Sequence, residues 1–213
     1  MKIALFGASG LVGGLLAPLL GGHDLTVVGR RASGVANERI APVADWPAVV
    51  AELRPEIVVS TLGTTIRKAG STAAFAAVDH DAVVAVAAAA KASGARQFMM
   101  VSSVGADGRT LGLYLATKAH AEADVIALGF GRVDIYRPGL LVGNRTDDLR
   151  PAERLGMAIS PLTNALTPRR FDRYRSIAAA DVAGAMARAV GATLAGAHIH
   201  YNREMLESIR KLA

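Results

Sequence analysis

The chain has 213 residues, 52% of them hydrophobic and 20% charged, which is enough apolar side chain for one packed domain and too little charge for a disordered one. It holds no cysteine, so disulfides, thiolate catalysis and cysteine-ligated zinc are excluded, and a reducing, cytoplasmic location fits. The net charge of +6 leaves two kinds of anionic partner to weigh, nucleic acid and a small polyanion.

Residues 2–6, KIALF, read as a buried strand. The eight residues after it, GASGLVGG at 7–14, hold four glycines. Lys2 ahead of an apolar run imitates an export signal, but Gly7, Gly10, Gly13, Gly14 and Pro18 interrupt that run. No A-x-A cleavage pattern follows, so export is set aside. A helix is expected over 11–20, with Pro18 shortening or kinking it. Strand, glycine turn and helix together make a dinucleotide loop. Gly7 permits the sharp turn, Gly10 lets backbone approach a pyrophosphate, and Gly13 lets the helix pack on the sheet. Ser9 adds a hydroxyl donor. The plainer alternative is a glycine-rich turn without a ligand.

The next strand, 25–28 (LTVV), leads into Gly29-Arg30-Arg31-Ala32-Ser33. An NAD site calls for an acidic residue here to hold the ribose 2′-hydroxyl. Two arginines stand in its place, and the next carboxylate is Glu38. Guanidinium groups suit a 2′-phosphate, which points to NADP(H); the alternative is two solvated surface charges.

A helix starts near Asp45 with Pro47 in its first turn. The strand at 56–61 (EIVVST) ends in STLGTT at 60–65. A long alanine-rich helix covers 72–92 and stops at Gly94. Its most apolar part, AVVAVAAAA at 82–90, is too short to span a bilayer, so no membrane partner is expected. Asp79-His80-Asp81 within it has no serine partner and reads as a helix surface turn.

The strand at 97–101 (QFMMV) ends in VSSVGA at 101–106, and a helix follows over 111–128 to Gly129. On it Tyr114 and Lys118 stand at i and i+4, on one face. A phenol, with an ordinary pKa of about 10, is a poor acid or base at neutral pH. A neighbouring ammonium favours the phenolate and brings it into range. A serine hydroxyl, here Ser103, can hold a substrate carbonyl beside it. The motif Y-x-x-x-K alone is weak; its order after a glycine loop and a strand-end SS gives it weight. A packed helix aromatic is the alternative for Tyr114.

The remaining strands are 133–136 (VDIY) and 198–201 (HIHY), and the remaining helices 151–159, 180–190 and 203–212. Continuous apolar strands alternating with helices make a doubly wound, Rossmann-type α/β fold, a parallel sheet covered on both faces. It is read as one domain over 1–213, with 141–213 forming a small C-terminal substrate part. The cluster TPRRFDRYRS at 167–176 interleaves Arg169, Arg170, Arg173 and Arg175 with Phe171 and Tyr174, yet Asp172 lies inside it. It reads as a solvated loop or the rim of the cofactor pocket, and nucleic acid is not the favoured partner. His198 and His200 share a strand face without a third ligand, so no metal site is expected.

These motifs resemble the atypical, single-domain short-chain dehydrogenases/reductases, and within them the human Tat-interacting, NADP-binding oxidoreductase family. The resemblance covers roughly residues 1–190. It is carried by GASGLVG (7–13), GRR (29–31), STLGTT with KAG (60–65 and 68–70), SSVGAD (102–107), LYLATK (113–118) and YRPGLL (136–141), with STLGTTIRKAG the most specific. The resemblance implies that Ser9, Gly10, Leu11 and Val12 contact the pyrophosphate region and that Arg30 and Arg31 grip the 2′-phosphate. It places Leu62 and Gly63 on the adenosine and ribose side and Leu141 near the nicotinamide. It makes Tyr114 the proton donor or acceptor and has Lys118 hold the nicotinamide ribose and tune Tyr114. Ser103, the second of its pair, is the serine that orients the carbonyl.

The chain departs from the larger family in three respects: there is no asparagine between Asn37 and Asn144, so the asparagine of the classical catalytic group is missing or replaced; Pro18 sits inside the helix after the glycine loop; and the region after residue 141 is short, leaving little material for a substrate domain. The expected function is hydride transfer between NADP(H) and a small carbonyl or alcohol. An NADP(H)-binding sensor or scaffold with little catalysis is the alternative. Substrate, direction of transfer and oligomeric state are not marked by any motif.

Overall fold

The computed structural model describes residues 1–35, 37–107, 112–143 and 169–210, with backbone alone at 169–171. Seven strands make one parallel sheet: β1 (Lys2–Phe6), β2 (Asp24–Gly29), β3 (Glu38–Ile40), β4 (Ile57–Ser60), β5 (Gln97–Val101), β6 (Arg132–Tyr136) and, after two short strands, β9 (Gly196–His200). Their spatial order is β3-β2-β1-β4-β5-β6-β9. The chain winds outward in one direction from β1 and in the other from β4, which is the doubly wound Rossmann arrangement. The two short strands, β7 (Leu141–Val142) and β8 (Ile177–Ala178), pair with each other.

Alternate residues of each strand serve opposite cores. Ile3, Leu5, Val59 and Met99 pack with Val12 and Leu16 of α1 (Leu11–Leu19), Val182 and Met186 of α7 (Ala179–Ala189), and Met205 of α8 (Asn202–Arg210). Phe6, Val58, Phe98 and Ile135 pack the other way, against Trp46 and Val50 of α2 (Trp46–Leu53), Val83 and Val86 of α5 (Ala82–Ala92), and Val125 of α6 (Leu113–Ala127). Burial on both faces is why the strands read as unbroken apolar runs.

α1 carries Pro18 as its second-last residue and stops at Leu19, the shortening expected of a residue with no amide to donate. Two short helices, α3 (Ile66–Ala69) and α4 (Thr72–Ala76), precede a π-helical turn over Ala77–Asp81 that runs straight into α5. The stretch Thr72–Ala92 is therefore a 21-residue helix, long and apolar enough to cross a membrane by length and composition, which the nine residues 82–90 are not. Here Phe75, Val83, Val86 and Ala90 of that stretch are buried within the fold.

The segment 141–213, expected as a small substrate part, contributes to the main sheet and core. Its β9 is the seventh strand of the sheet, and its α7 packs on the α1 face. The helix expected at 151–159 and the last residues of the one at 203–212 lie outside the described residues. Buried Asp134 of β6 binds Arg132 Nε at 2.7 Å, Gln97 Nε2 at 2.7 Å and His200 Nε2 at 2.8 Å. Burial alone would raise its pKa, but the bonds from His200, Arg132 and Gln97 outweigh that and hold the carboxyl below its ordinary range.

Candidate functional site

β1 and β4 end side by side, with Phe6 opposite Ser60. The winding direction changes between them, and the loops that follow, 7–13 and 61–65, form the crevice where such sheets bind ligands. Gly7 has φ +89°, a left-handed conformation open to glycine. A Cβ there would stand 2.7 Å from Thr61 Oγ1. Thr61 is held by its own amide and hydroxyl, each donating to Phe6 O at 2.9 Å. A Cβ at Gly13 would stand 2.3 Å from Gly7 O and 2.5 Å from Thr61 Oγ1. Both glycines are thus demanded by three segments converging on one point. Ser9 and Gly10 are exposed, Leu11 is half-buried, and the Val12 side chain is in the core, so Val12 can offer a ligand its backbone alone. α1 starts at Gly10 with no side-chain cap and no acid in its first turn, which leaves first-turn amides to meet an anion.

Arg30 and Arg31 follow β2, both exposed, and among the described residues no ion pair or hydrogen bond engages either guanidinium. Arg39 nearby is instead paired with Glu52. The loop beyond the arginines closes on Glu38. Ser33 N donates to Glu38 Oε1 at 2.7 Å, Val35 N at 3.3 Å, and the Ser33 hydroxyl bonds the same oxygen. The Ser33 hydroxyl foremost, then the Ser33 amide, holds the Glu38 carboxyl below its ordinary value.

On the other side of the crevice, α6 presents Tyr114 and Lys118 on one face, as the i, i+4 spacing predicts. Their partners are also four residues apart, along the helix over Thr72–Ala92. The Tyr114 ring lies 5.4 Å from that of Phe75, and Lys118 Nζ lies 2.7 Å from Asp79 Oδ1. Asp79 is wholly buried and Lys118 is 3% exposed. Asp79 Oδ2 also accepts the Thr64 amide at 2.8 Å, which ties the STLGTT loop to the same carboxylate. A Cβ on the exposed Gly63 would come 3.6 Å from Lys118 Nζ, so the loop backbone passes directly over the ion pair.

The reading of Asp79-His80-Asp81 as a surface turn is therefore corrected. Asp81 is exposed and His80 half-buried, but Asp79 points inward from the π-helical turn, a widened turn that is frequent at functional sites. Asp79 was missed because its charge hides in an alanine-rich helix and its partner lies far along the chain. The signal was present: Phe75, Asp79, Val83, Val86 and Ala90 follow one helical stripe, and an acid in an apolar stripe needs a buried partner.

Ser103 is half-buried, and its hydroxyl makes a long 3.4 Å contact with Val104 O. Ser102 beside it is buried, with Ser60 likewise at the end of β4, and neither hydroxyl has a hydrogen-bond partner among the described residues. Leu62 is half-buried. Leu141, half-buried on β7, pairs with Ile177. A Cβ two residues on, at Gly143, would meet Leu11 Cδ1 at 3.0 Å, so this segment reaches the start of α1. Tight glycine backbone, uncapped first-turn amides and unengaged arginines fit a nicotinamide dinucleotide.

In the arginine cluster a 3₁₀ turn spans Arg169–Tyr174. Arg173 lies over the Tyr174 ring at 4.9 Å, and Arg175 pairs with Asp172 at 3.2 Å. The side chains of Arg169, Arg170 and Phe171 lie outside the described residues. His198 and His200 do not converge on a shared ligand: His200 meets Asp134, whereas His198 contacts Leu194 O at 3.1 Å. Among the described residues no group of three or more potential ligands could hold a metal ion.

Comparison with known proteins extends these observations. The NAD dependent epimerase/dehydratase family matches over residues 3–203. Protein FMP52-1, mitochondrial, of Scheffersomyces stipitis is 34% identical over 156 residues, covering 68% of this chain and 69% of that protein. Protein HTATIP2 of Rattus norvegicus is 36% identical over 167 residues, covering 72% and 68%. The solved structure of MoeE5 in complex with UDP-glucose and NAD superposes with a TM-score of 0.70 at 17% identity, over 100% of this chain and 82% of that one; at that identity the likeness shows the fold. Several fungal relatives bear the name mitochondrial, which corrects the cytoplasmic expectation. Absence of cysteine is compatible with any reducing compartment and carries no address.

Proposed function

This chain belongs to the NAD dependent epimerase/dehydratase family, and from that membership we propose an NADP(H)-dependent oxidoreductase acting on a small carbonyl or alcohol. One observation carries the reading: Tyr114 and Lys118 face the crevice helix as a matched pair, beside the loop that passes the glycine turn. Bound NADP(H) supplies or accepts the hydride. The chain's own residues do the rest. The amides of Ser9, Leu11 and Val12, with close backbone approach at Gly10, and the guanidinium groups of Arg30 and Arg31 hold phosphates. The Ser103 hydroxyl donates to the substrate oxygen and orients it. The Tyr114 phenol gives that oxygen a proton in reduction and takes one back in oxidation. Lys118 favours the phenolate and binds ribose hydroxyls, and Leu62, Gly63 and Leu141 line the cofactor.

Asp79 favours a second reading, a cofactor sensor with little turnover. A lysine whose charge is matched by a buried carboxylate at 2.7 Å exerts less pull on a neighbouring phenol than a lone one. Calorimetric titration with NADPH and NADH, followed by a carbonyl screen, separates the two. The oxidoreductase binds NADPH at least tenfold more tightly than NADH, and Tyr114→Phe abolishes turnover while sparing NADPH binding. Full activity in Tyr114→Phe refutes the mechanism, and tight NADPH binding without turnover of any carbonyl selects the sensor.

A further inference from the structure

The loop between β2 and β3 contains an anion seat that is already filled. Three donors converge on Glu38 Oε1: the Ser33 amide at 2.7 Å, the Val35 amide at 3.3 Å and the Ser33 hydroxyl. Gly34, between them, has φ +80°. A left-handed residue at such a place turns neighbouring amides toward one point, the concavity by which backbone binds anions. The loop is fixed at its far end. Glu38 is in register with Val27 of β2, and Asn37 Nδ2 donates to Leu25 O at 2.8 Å and to Thr26 Oγ1 at 3.1 Å. The anchored backbone is that of Asn37 and Glu38, whereas the Glu38 side chain that reaches the seat is half-buried.

Its surroundings are cationic. Ser33 stands two residues beyond Arg31, and neither Arg30 nor Arg31 answers the Glu38 charge. A carboxylate that stabilised the loop by ion pairing would be expected to draw on one of these exposed guanidiniums; this one is held by backbone and hydroxyl donors alone.

We propose that this nest is a phosphate seat and that Glu38 is its resident plug, displaced when the 2′-phosphate of NADP(H) reaches the amides of Ser33 and Val35. The proposal rests on the NADP(H) reading above and adds a determinant of cofactor choice to it. A phosphate monoester brings three acceptor oxygens to two amides, a hydroxyl and two guanidiniums. The 2′-hydroxyl of NAD(H) brings no charge with which to compete for the seat. Glu38 thus opposes the phosphate twice, by holding its donors and by like-charge repulsion, and leaves NAD(H) unaffected.

The test is calorimetric titration of the parent chain, Glu38→Gln and Glu38→Ala with NADPH, NADH, 2′,5′-ADP and 5′-ADP, with amide NMR of Ser33, Gly34 and Val35. Freeing donors now bonded to a charge tightens NADPH and 2′,5′-ADP by roughly three- to tenfold in both variants, with NADH and 5′-ADP unchanged. In the parent the three amide resonances move with 2′,5′-ADP and stay in place with 5′-ADP. If both variants bind 2′,5′-ADP no better, or more weakly, while the parent prefers NADPH, Glu38 is a loop brace: the plug is refuted and the NADP(H) reading stands. If the parent binds NADPH and NADH alike, the cofactor reading falls and the proposal with it.

Discussion

Replacing Asp79 by alanine removes the carboxylate from a pair whose side chains are 0% and 4% exposed. Lys118 is left as a buried ammonium without a counter-charge, and the Thr64 amide loses its acceptor. Breaking a buried ion pair from one side costs about 3–5 kcal/mol, a large part of the roughly 5–15 kcal/mol that stabilises a typical fold. For a chain of this size each kcal/mol lowers the melting midpoint by about 2–4 °C, so Asp79→Ala melts roughly 6–20 °C below the parent. Replacing both partners, Asp79→Leu with Lys118→Met, removes the stranded charge and recovers most of the loss. Thermal and urea unfolding of the parent, Asp79→Leu, Lys118→Met and the double variant close a cycle. The expected coupling is at least about 1.5 kcal/mol. An Asp79→Ala variant within about 1 kcal/mol of the parent, or a double variant that loses the sum of the singles, refutes the ion pair as the joint between α6 and the STLGTT loop.

Two further outcomes are expected. Gly13→Ala drives a Cβ to within 2.3 Å of Gly7 O; displacing α1 costs roughly 1–3 kcal/mol and loosens NADPH, whereas Gly22→Ala, with open space around it, stays within about 0.5 kcal/mol. His80 is bonded to Asp81 at 2.8 Å and Asp124 at 2.9 Å. Burial opposes its charge, but those two bonds outweigh it and raise its pKa above the ordinary 6.5. A group whose pKa is raised on folding stabilises fully below its unfolded pKa and loses that contribution as pH rises through the folded one. His80→Gln is therefore less stable than the parent at pH 5, and the gap narrows through and above neutrality; a gap independent of pH, measured by urea unfolding across pH 5–9, contradicts this.

The sheet was legible because β1, β4 and β5 are largely apolar on both faces, so no amphipathic period confuses them. β3 was not: it holds three residues, with Ile40 exposed, and its pairing is fixed by the loop before it rather than by burial. β7 and β8, two residues each, fall below any periodic signal. The close packing at Gly7 and Gly13 and the shared face of Tyr114 and Lys118 could be read because each depends on short spacings. Asp79 and Glu38 could not be found in that way. Asp79 is assigned by a partner on another helix, and Glu38 by amides that only a folded loop turns toward it.

The seventh strand carries a consequence for how the molecule is made. β9 binds only β6, and the two are separated by about sixty residues, so a ribosome adding about 5–20 residues per second releases β6 several seconds before its neighbour exists. During that interval β6 is the sheet's open border, and an unpaired border is where chains join one another. Asp134 meanwhile has Arg132 and Gln97 but lacks His200, the one member of its group that arrives with β9. The nascent chain thus completes its crevice strands, β1 to β5, first and protects its flank last. Fragments that end before residue 196 are expected to self-associate through the bare edge of β6, which β9 covers in the whole chain.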